Sequence, residues 1–180
     1  MSRRPSPTVF LLCVLSFALL CVATGCSERA KEYDKQGRDY LDAEEYDRAI
    51  EAFTKAIEIR PDYADAYNNR GNAYRRKGNY DQATADLNKA IELDPAHYKA
   101  YKNRGKVYAA LDDYGRALDD YNQAIQIRPS YADPYYDRAM AHKNLGNREA
   151  AIADLERFME LSTDPEMRER AEQKLQELKD

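Results

Sequence analysis

Three lysines recur at a spacing that would place them on one face of a helix. Lys99, Lys102 and Lys106 are three and four residues apart, which is the separation of neighbouring side chains on a helical surface. Thirty-four residues before the last two stand Asn68 and Asn72. Ammonium groups bind carboxylates, and side-chain amides hydrogen-bond a peptide backbone. These residues therefore favour binding of an acidic protein segment over bond-breaking chemistry.

One of the three cysteines offers a different chemistry. Cys26 ends the stretch Ala23-Thr24-Gly25-Cys26, which follows two arginines near the start and an apolar run over residues 9–23. This order is typical of a secretory signal, and the run is shorter than the ~20 apolar residues of a membrane span. The stretch resembles the lipobox of bacterial lipoproteins, with Ala23 where leucine is usual. The resemblance implies cleavage of residues 1–25 and lipidation of Cys26; the alternative is an uncleaved anchor that ends in Gly-Cys.

Removal of this leader would leave few groups suited to catalysis. Cys13 and Cys21 would leave with it and Cys26 would be acylated, so no thiol would remain for a disulfide, a metal or catalysis. The histidines are His97 and His142, and the sequence has no glycine-rich phosphate loop and no clustered metal ligands. We therefore predict a protein that is not an enzyme and that binds no cofactor, metal or small-molecule substrate.

The charge of the mature chain argues against nucleic acid as a partner. The leader contains two of the 28 basic residues and no acidic one, so the remaining chain carries 26 basic and 32 acidic side chains. Nucleic-acid binding requires a basic footprint, which an acidic exported chain of this composition lacks.

The chain after the leader repeats with a period of 34 residues. Segments 30–63, 64–97, 98–131 and 132–165 have the same types of residue at the same places. The fourth place is aromatic and the eighth is small: Tyr33, Tyr67, Tyr101 and Tyr135, then Gly37, Gly71, Gly105 and Ala139. Within each segment apolar residues follow helical spacing in two runs. Each segment therefore predicts a helical hairpin whose apolar face is covered by its neighbour.

These segments resemble the tetratricopeptide repeat family, over the whole chain after the leader. The resemblance implies an all-α, right-handed solenoid of helix-turn-helix repeats. The expected first residues of the second helices are Glu45, Asn79, Asp113 and Asn147, and Pro61, Pro95 and Pro129 stand where those helices must stop. Residues 166–180 predict a capping helix with one apolar side, and residues 26–29 a short tether between Cys26 and the stack.

The resemblance also implies where a partner would bind. The concave surface of such repeats is lined by the second, fifth, ninth and twelfth residues of each first helix. Candidate groove residues are accordingly Arg38, Asn68, Asn72, Arg75, Lys99, Lys102, Lys106 and Tyr136. Some relatives hold a peptide's terminal carboxylate with a fixed set of Lys, Asn and Arg from three successive repeats. Whether the set is aligned from the first or from the second repeat of this chain, some of its residues are missing. Arg75 stands near the end of a helix, where a cation interacts favourably with the helix dipole, so its presence does not require a ligand. The alternative to peptide binding is therefore a groove that contains only solvent.

The expected function is that of a scaffold or adaptor in the bacterial cell envelope, lipid-anchored and binding an acidic protein or peptide segment in its groove. The anchor would lie on the outer side of the cytoplasmic membrane or on the periplasmic face of the outer membrane. A structural alternative is a self-associating subunit of an envelope assembly, with the groove filled by another copy.

Overall fold

The computed structural model describes residues 7–180, with side chains from Gly25 onward. Within this part the chain forms nine helices and no strand, which confirms the predicted all-α solenoid. Apart from Gly25, the side chains of the predicted leader lie outside the described residues. The helices are α1 (Pro7–Asp42), α2 (Tyr46–Ile59), α3 (Ala64–Lys77), α4 (Tyr80–Leu93), α5 (Tyr98–Ala110), α6 (Tyr114–Ile127), α7 (Asp133–Asn144), α8 (Arg148–Leu161) and α9 (Pro165–Lys179).

Consecutive helices form four hairpins that stack in chain order. The hairpins are α1–α2, α3–α4, α5–α6 and α7–α8, and the second helix of each packs against the first helix of the next. Each pair is joined by a tight turn in which the residue two places before the second helix has a positive φ, between 59° and 85°. Glycine holds this place in two hairpins, and Glu44 and Asp112 hold it in the others.

The two helices of a hairpin approach closely because a small residue on one faces a large residue on the other. A methyl group added to Gly105 would lie 2.6 Å from Tyr121 Cε1, and one added to Gly37 would lie 2.5 Å from Phe53 Cε1. Gly71 faces Leu87 in the same way. The glycines at the eighth place of the repeat therefore set the spacing of the hairpins.

The helix boundaries follow the predicted start and stop residues. The second helices begin directly after Glu45, Asn79, Asp113 and Asn147, and those of the first three hairpins end two residues before Pro61, Pro95 and Pro129. Of the four preceding residues, Asp113 caps its helix with its side chain, which accepts a hydrogen bond from the Arg116 backbone N–H at 3.0 Å. The other three hold the position without a side-chain cap.

The last helix covers the end of the stack. Asp164 caps α9 by accepting hydrogen bonds from the backbone N–H groups of Glu166 and Met167. Ala171 and Leu175 of α9 are buried in one cluster with Tyr135, Ala139, Leu155 and Phe158. The outer side of α9 is charged and exposed, so the stack ends in a polar surface.

The segment between Cys26 and the first repeat is helical. Residues 26–29, predicted as a short tether, belong to α1, which continues without a break into the first hairpin. Cys26 itself is exposed. In the part of the chain that the structure describes, no helix combines the length and apolarity that crossing a membrane requires.

Candidate functional site

The first helices of the four hairpins form one continuous inner surface. α1, α3, α5 and α7 contact one another in succession, whereas α2, α4 and α6 reach the following hairpin through its first helix. Because the first helices lie closer together than the second helices, their shared surface is the concave one. All eight predicted groove residues belong to these four helices.

Asn68 is a structural link in this surface. Its carboxamide oxygen accepts a hydrogen bond from Asn103 Nδ2 at 2.9 Å, and its own Nδ2 donates to Asn69 Oδ1 at 3.0 Å. Asn69 in turn donates to Asp34 Oδ1 at 2.8 Å. Only 3% of Asn68 is exposed. This chain of amides ties α1, α3 and α5 together and leaves Asn68 little access to a peptide backbone.

Lys102 and Lys106 are paired with the aspartates of the next hairpin. Lys102 Nζ donates to Asp133 Oδ2 at 2.9 Å and lies 2.6 Å from the Tyr131 hydroxyl oxygen, and Lys106 Nζ lies 3.3 Å from Asp137 Oδ2. The Lys102 side chain is only 13% exposed, and this burial lowers its pKa, against the opposing effect of Asp133. Both lysines are therefore paired with aspartates inside the stack, and Lys102 is largely buried while the Lys106 side chain is 33% exposed.

The remaining predicted residues keep more access to solvent. Arg38 is exposed on α1, with its Nε 3.2 Å from Asp34 Oδ2. Lys99 is exposed, with its ammonium 6.0 Å from the centre of the Tyr98 ring. Tyr136 is half-buried and packs edge-on against Phe158, with ring centres 5.3 Å apart.

Arg75 and Asn72 occupy the centre of the surface. Asn72 Oδ1 accepts hydrogen bonds from both Nε and Nη2 of Arg75, at 3.3 and 2.8 Å. The Arg75 guanidinium lines a pocket of about 240 Å³ with Lys106, Tyr121 and Met140. A second pocket, of about 250 Å³, lies toward α9 and includes Tyr136, Phe158 and Met167. Lys106 and Asp137 line both pockets, so the two adjoin.

His97 has a role that its turn position did not indicate. It stands directly before α5, and its Nδ1 accepts a hydrogen bond from the Ala100 backbone N–H at 3.3 Å. Its Nε2 therefore carries the proton and donates to Asp65 Oδ1 at 3.1 Å. This hydrogen bond is the main cause of the lowered pKa of Asp65. The contact joins the second and third hairpins.

A buried arginine–aspartate pair, not predicted from the sequence, recurs in three of the hairpins. Arg70, Arg104 and Arg138 each make two hydrogen bonds to an aspartate of their own hairpin, at 2.6 to 2.9 Å. The remaining nitrogen of each donates to a residue of the preceding hairpin, namely Thr54, Asn88 or Asn122. The signal was readable, because an arginine and an aspartate 16 residues apart recur in three segments.

Within the described residues, no three His, Cys, Asp or Glu side chains come close enough together to hold a metal ion. His142 is the eleventh residue of the fourth segment, where the other three segments have tyrosine. It is half-buried, and burial lowers its pKa.

Sequence profiles of known families match along the repeats. Three profiles described as tetratricopeptide repeat match residues 64–97, 87–119 and 105–176, and one described as TPR repeat matches residues 37–78. The chain belongs to the tetratricopeptide repeat family. Proteins of this family generally act as non-enzymatic interaction scaffolds, and the fold is that of a protein–protein interaction module. No curated protein sequence matches this repeat protein.

Solved tetratricopeptide repeat structures are similar to it. The crystal structure of MamA has a TM-score of 0.65 and 26% sequence identity, over 73% of this chain and 77% of MamA. The first repeat domain of Spaghetti (RPAP3) bound to the HSP90 peptide SRMEEVD has a TM-score of 0.63 and 28% identity, over 67% of this chain and 95% of that one. The Arabidopsis OM64 repeat domain has a TM-score of 0.61 and 25% identity, over 68% and 98% of the two chains.

Proposed function

We propose that this protein is a lipid-anchored adaptor of the bacterial cell envelope that binds an extended peptide segment of a partner protein in its concave surface. The observation that carries the proposal is the pair of adjoining pockets formed by α3, α5, α6, α7, α8 and the start of α9. They make a continuous trough rather than a single closed cavity. A trough of this kind suits an extended chain whose successive side chains enter successive pockets.

The relatives support the peptide as the class of ligand. A similar repeat domain, that of RPAP3, is bound to a peptide, SRMEEVD, which contains three acidic residues. The trough of this chain is not uniformly basic, because Lys102 and Lys106 are neutralised by Asp133 and Asp137. Arg75 lines the trough and forms no ion pair within the described part of the chain, and it keeps the trough attractive to an acidic segment.

The anchor is supported by the sequence. The stretch Ala23-Thr24-Gly25-Cys26 follows a basic and apolar leader, and Cys26 is exposed at its end. Lipidation at Cys26 would hold the stack close to the membrane, on the outer side of the cytoplasmic membrane or on the periplasmic face of the outer membrane. Ser27 carries no acidic retention signal, so in a cell with two membranes we place the protein at the outer one.

Site-specific photo-crosslinking in native membranes tests this function. A photoreactive amino acid at Tyr136 or Met140 probes the trough, and one at Gln82 or Gln123 probes the exposed outer helices. We expect the same partner to be captured from the two trough positions and not from the outer ones. Capture from the outer positions alone would place the binding surface on the convex side and contradict the proposal.

A further inference from the structure

Arg75 differs from the other half-buried arginines in having no acidic partner among the described residues. Its two hydrogen bonds both go to the neutral oxygen of Asn72. Arg104, by contrast, makes two hydrogen bonds to Asp120, and these raise its pKa. Burial lowers the pKa of Arg75, against the opposing charge of Asp137, which lines the same pocket without forming an ion pair to Arg75. A desolvated cation without a hydrogen-bonded carboxylate is unfavourable, and a carboxylate that reached it would relieve that cost.

A second hydrogen-bond donor lies beside Arg75 in the same pocket. Tyr121 is only 1% exposed but lines this pocket, and its hydroxyl accepts and donates no hydrogen bond within the described chain. Burial of the ring raises the pKa of Tyr121, so the hydroxyl keeps its proton and remains a donor. The outer guanidinium nitrogen Nη1 of Arg75 is likewise without a described partner. Arg75 and Tyr121 thus offer two donors to one pocket.

The charged side chains around the pocket favour the binding of one further anion. Lys106 also lines it, but its ammonium lies 3.3 Å from Asp137 Oδ2. Lys102 is paired with Asp133 in the same way. The pocket is lined by two cations, Arg75 and Lys106, and by one carboxylate, Asp137, so one positive charge is in excess. Ala109, Met140 and Ala141 supply an apolar wall for a hydrocarbon stem.

We propose that this pocket, defined by Arg75, Tyr121, Lys106 and Met140, binds the side-chain carboxylate of an acidic residue within the partner's segment. The inference rests on the proposed function, and it names the residue type that the trough selects. The pocket lies between the second and fourth hairpins, and the adjoining pocket continues toward α9. A segment can therefore run past it, which favours an internal glutamate or aspartate over a chain terminus.

Two pools of short synthetic peptides with blocked termini test the assignment. The pools are matched in sequence, except that every acidic residue in one is replaced by its amide in the other. We expect the acidic pool to bind the intact protein about tenfold more tightly, since a hydrogen bond to a charged group contributes about 1.5 to 3 kcal/mol and 1.4 kcal/mol corresponds to a factor of ten. The readout is fluorescence anisotropy at fixed ionic strength.

Variants then locate the selectivity. Arg75→Gln should abolish the preference for the acidic pool, and Tyr121→Phe should reduce it about fivefold, since a hydrogen bond contributes about 1 kcal/mol. The matched control is Arg76→Gln, because Arg76 is the exposed neighbour on α3 and its replacement removes the same charge. Arg76→Gln should keep the preference. Circular dichroism and thermal unfolding establish that each variant is folded.

The outcomes separate this inference from the proposed function. If the acidic pool binds and Arg75→Gln keeps the preference, the pocket assignment is wrong while peptide binding stands. An equal loss in Arg76→Gln would show unspecific attraction and also overturn it. If neither pool binds, the assignment and the peptide-binding function both fail. Inorganic phosphate that displaced the acidic pool at the same concentration would identify a site for small anions instead.

Discussion

Arg104 holds Asp120 through two parallel hydrogen bonds, from Nε to Oδ2 at 2.9 Å and from Nη2 to Oδ1 at 2.7 Å. Its third nitrogen donates to Asn88 Oδ1 of the preceding hairpin at 2.6 Å. Asp120 is only 4% exposed. One side chain therefore joins the two helices of its own hairpin and fixes the position of the neighbouring hairpin.

Removing this arginine should be costly, because it leaves a buried carboxylate without its partner. We expect Arg104→Leu to lower the free energy of unfolding by about 3 to 5 kcal/mol, and the double change with Asp120→Leu to recover much of the loss. Urea denaturation measures both. The exposed pair Arg157–Glu160 is the control, and Arg157→Leu should leave the free energy of unfolding nearly unchanged. A double variant no more stable than Arg104→Leu would contradict this explanation.

The glycines permit a matched comparison within one hairpin. A methyl group at Gly105 would lie 2.6 Å from the buried Tyr121 ring, whereas one at the exposed Gly115 meets no atom closer than 3.7 Å. Gly105→Ala should therefore destabilise the protein by about 1 to 3 kcal/mol through overpacking. Gly115→Ala should stabilise it by up to about 1 kcal/mol through helix propensity. Thermal unfolding of the two variants decides, and similar melting temperatures would argue against the close approach of α5 and α6.

Asp34 should make stability depend on pH. Burial raises its pKa, against the opposing hydrogen bond from Asn69, so the folded state keeps the proton to a higher pH than the unfolded state. The contribution of Asp34 to stability therefore declines as the pH rises from its ordinary pKa of about 4 through the raised value. Relative to wild type, Asp34→Asn should gain stability across that window in urea titrations. The exposed turn residue Asp62, changed to Asn, is the control. A relative stability of Asp34→Asn that fell with pH would refute the assignment.

The anchor is tested by mass. We expect the mature wild-type protein to begin at Cys26 and to carry a lipid, whereas Cys26→Ala should remain an unprocessed precursor. Intact-mass analysis of the membrane fraction distinguishes the two forms. Ser27→Ala is the control, since it changes the neighbouring residue and keeps the thiol. A free Cys26 thiol in the wild-type protein would contradict lipidation, and recovery from the inner membrane alone would contradict the outer-membrane placement.

The fold was accessible from the sequence because the determinants of a repeat are local. Helical periodicity, the small residue at Gly105 and the proline after α6 each act within one hairpin, and the 34-residue period extends the same rules to its neighbours. An aspartate also follows 16 residues after each of Arg70, Arg104 and Arg138, and this repeated spacing could have predicted the buried pairs.

The groove was harder to predict because the ion pairs and hydrogen bonds of its residues form between different hairpins. Lys102 and Lys106 share a helical face, as their spacing indicates, but Lys102 meets an aspartate 31 residues further along the chain. Asn68 is bonded by Asn103, 35 residues away. A count of positions on one helix shows which residues share a surface. It does not show which of them are already satisfied by the adjacent hairpin.

The arginine contacts between hairpins are confined to the internal junctions of the stack. Each internal junction sets an arginine of one hairpin against Thr54, Asn88 or Asn122 of the hairpin before it. The first hairpin has Gln36 where the others have arginine, and Glu156 at the far end is 3.2 Å from Lys179 of α9. A second molecule stacked end to end would bring Gln36 to a glutamate that already has a partner. Copies placed end to end would therefore lack the arginine contact of the internal junctions, so neighbouring copies would present separate grooves of one length.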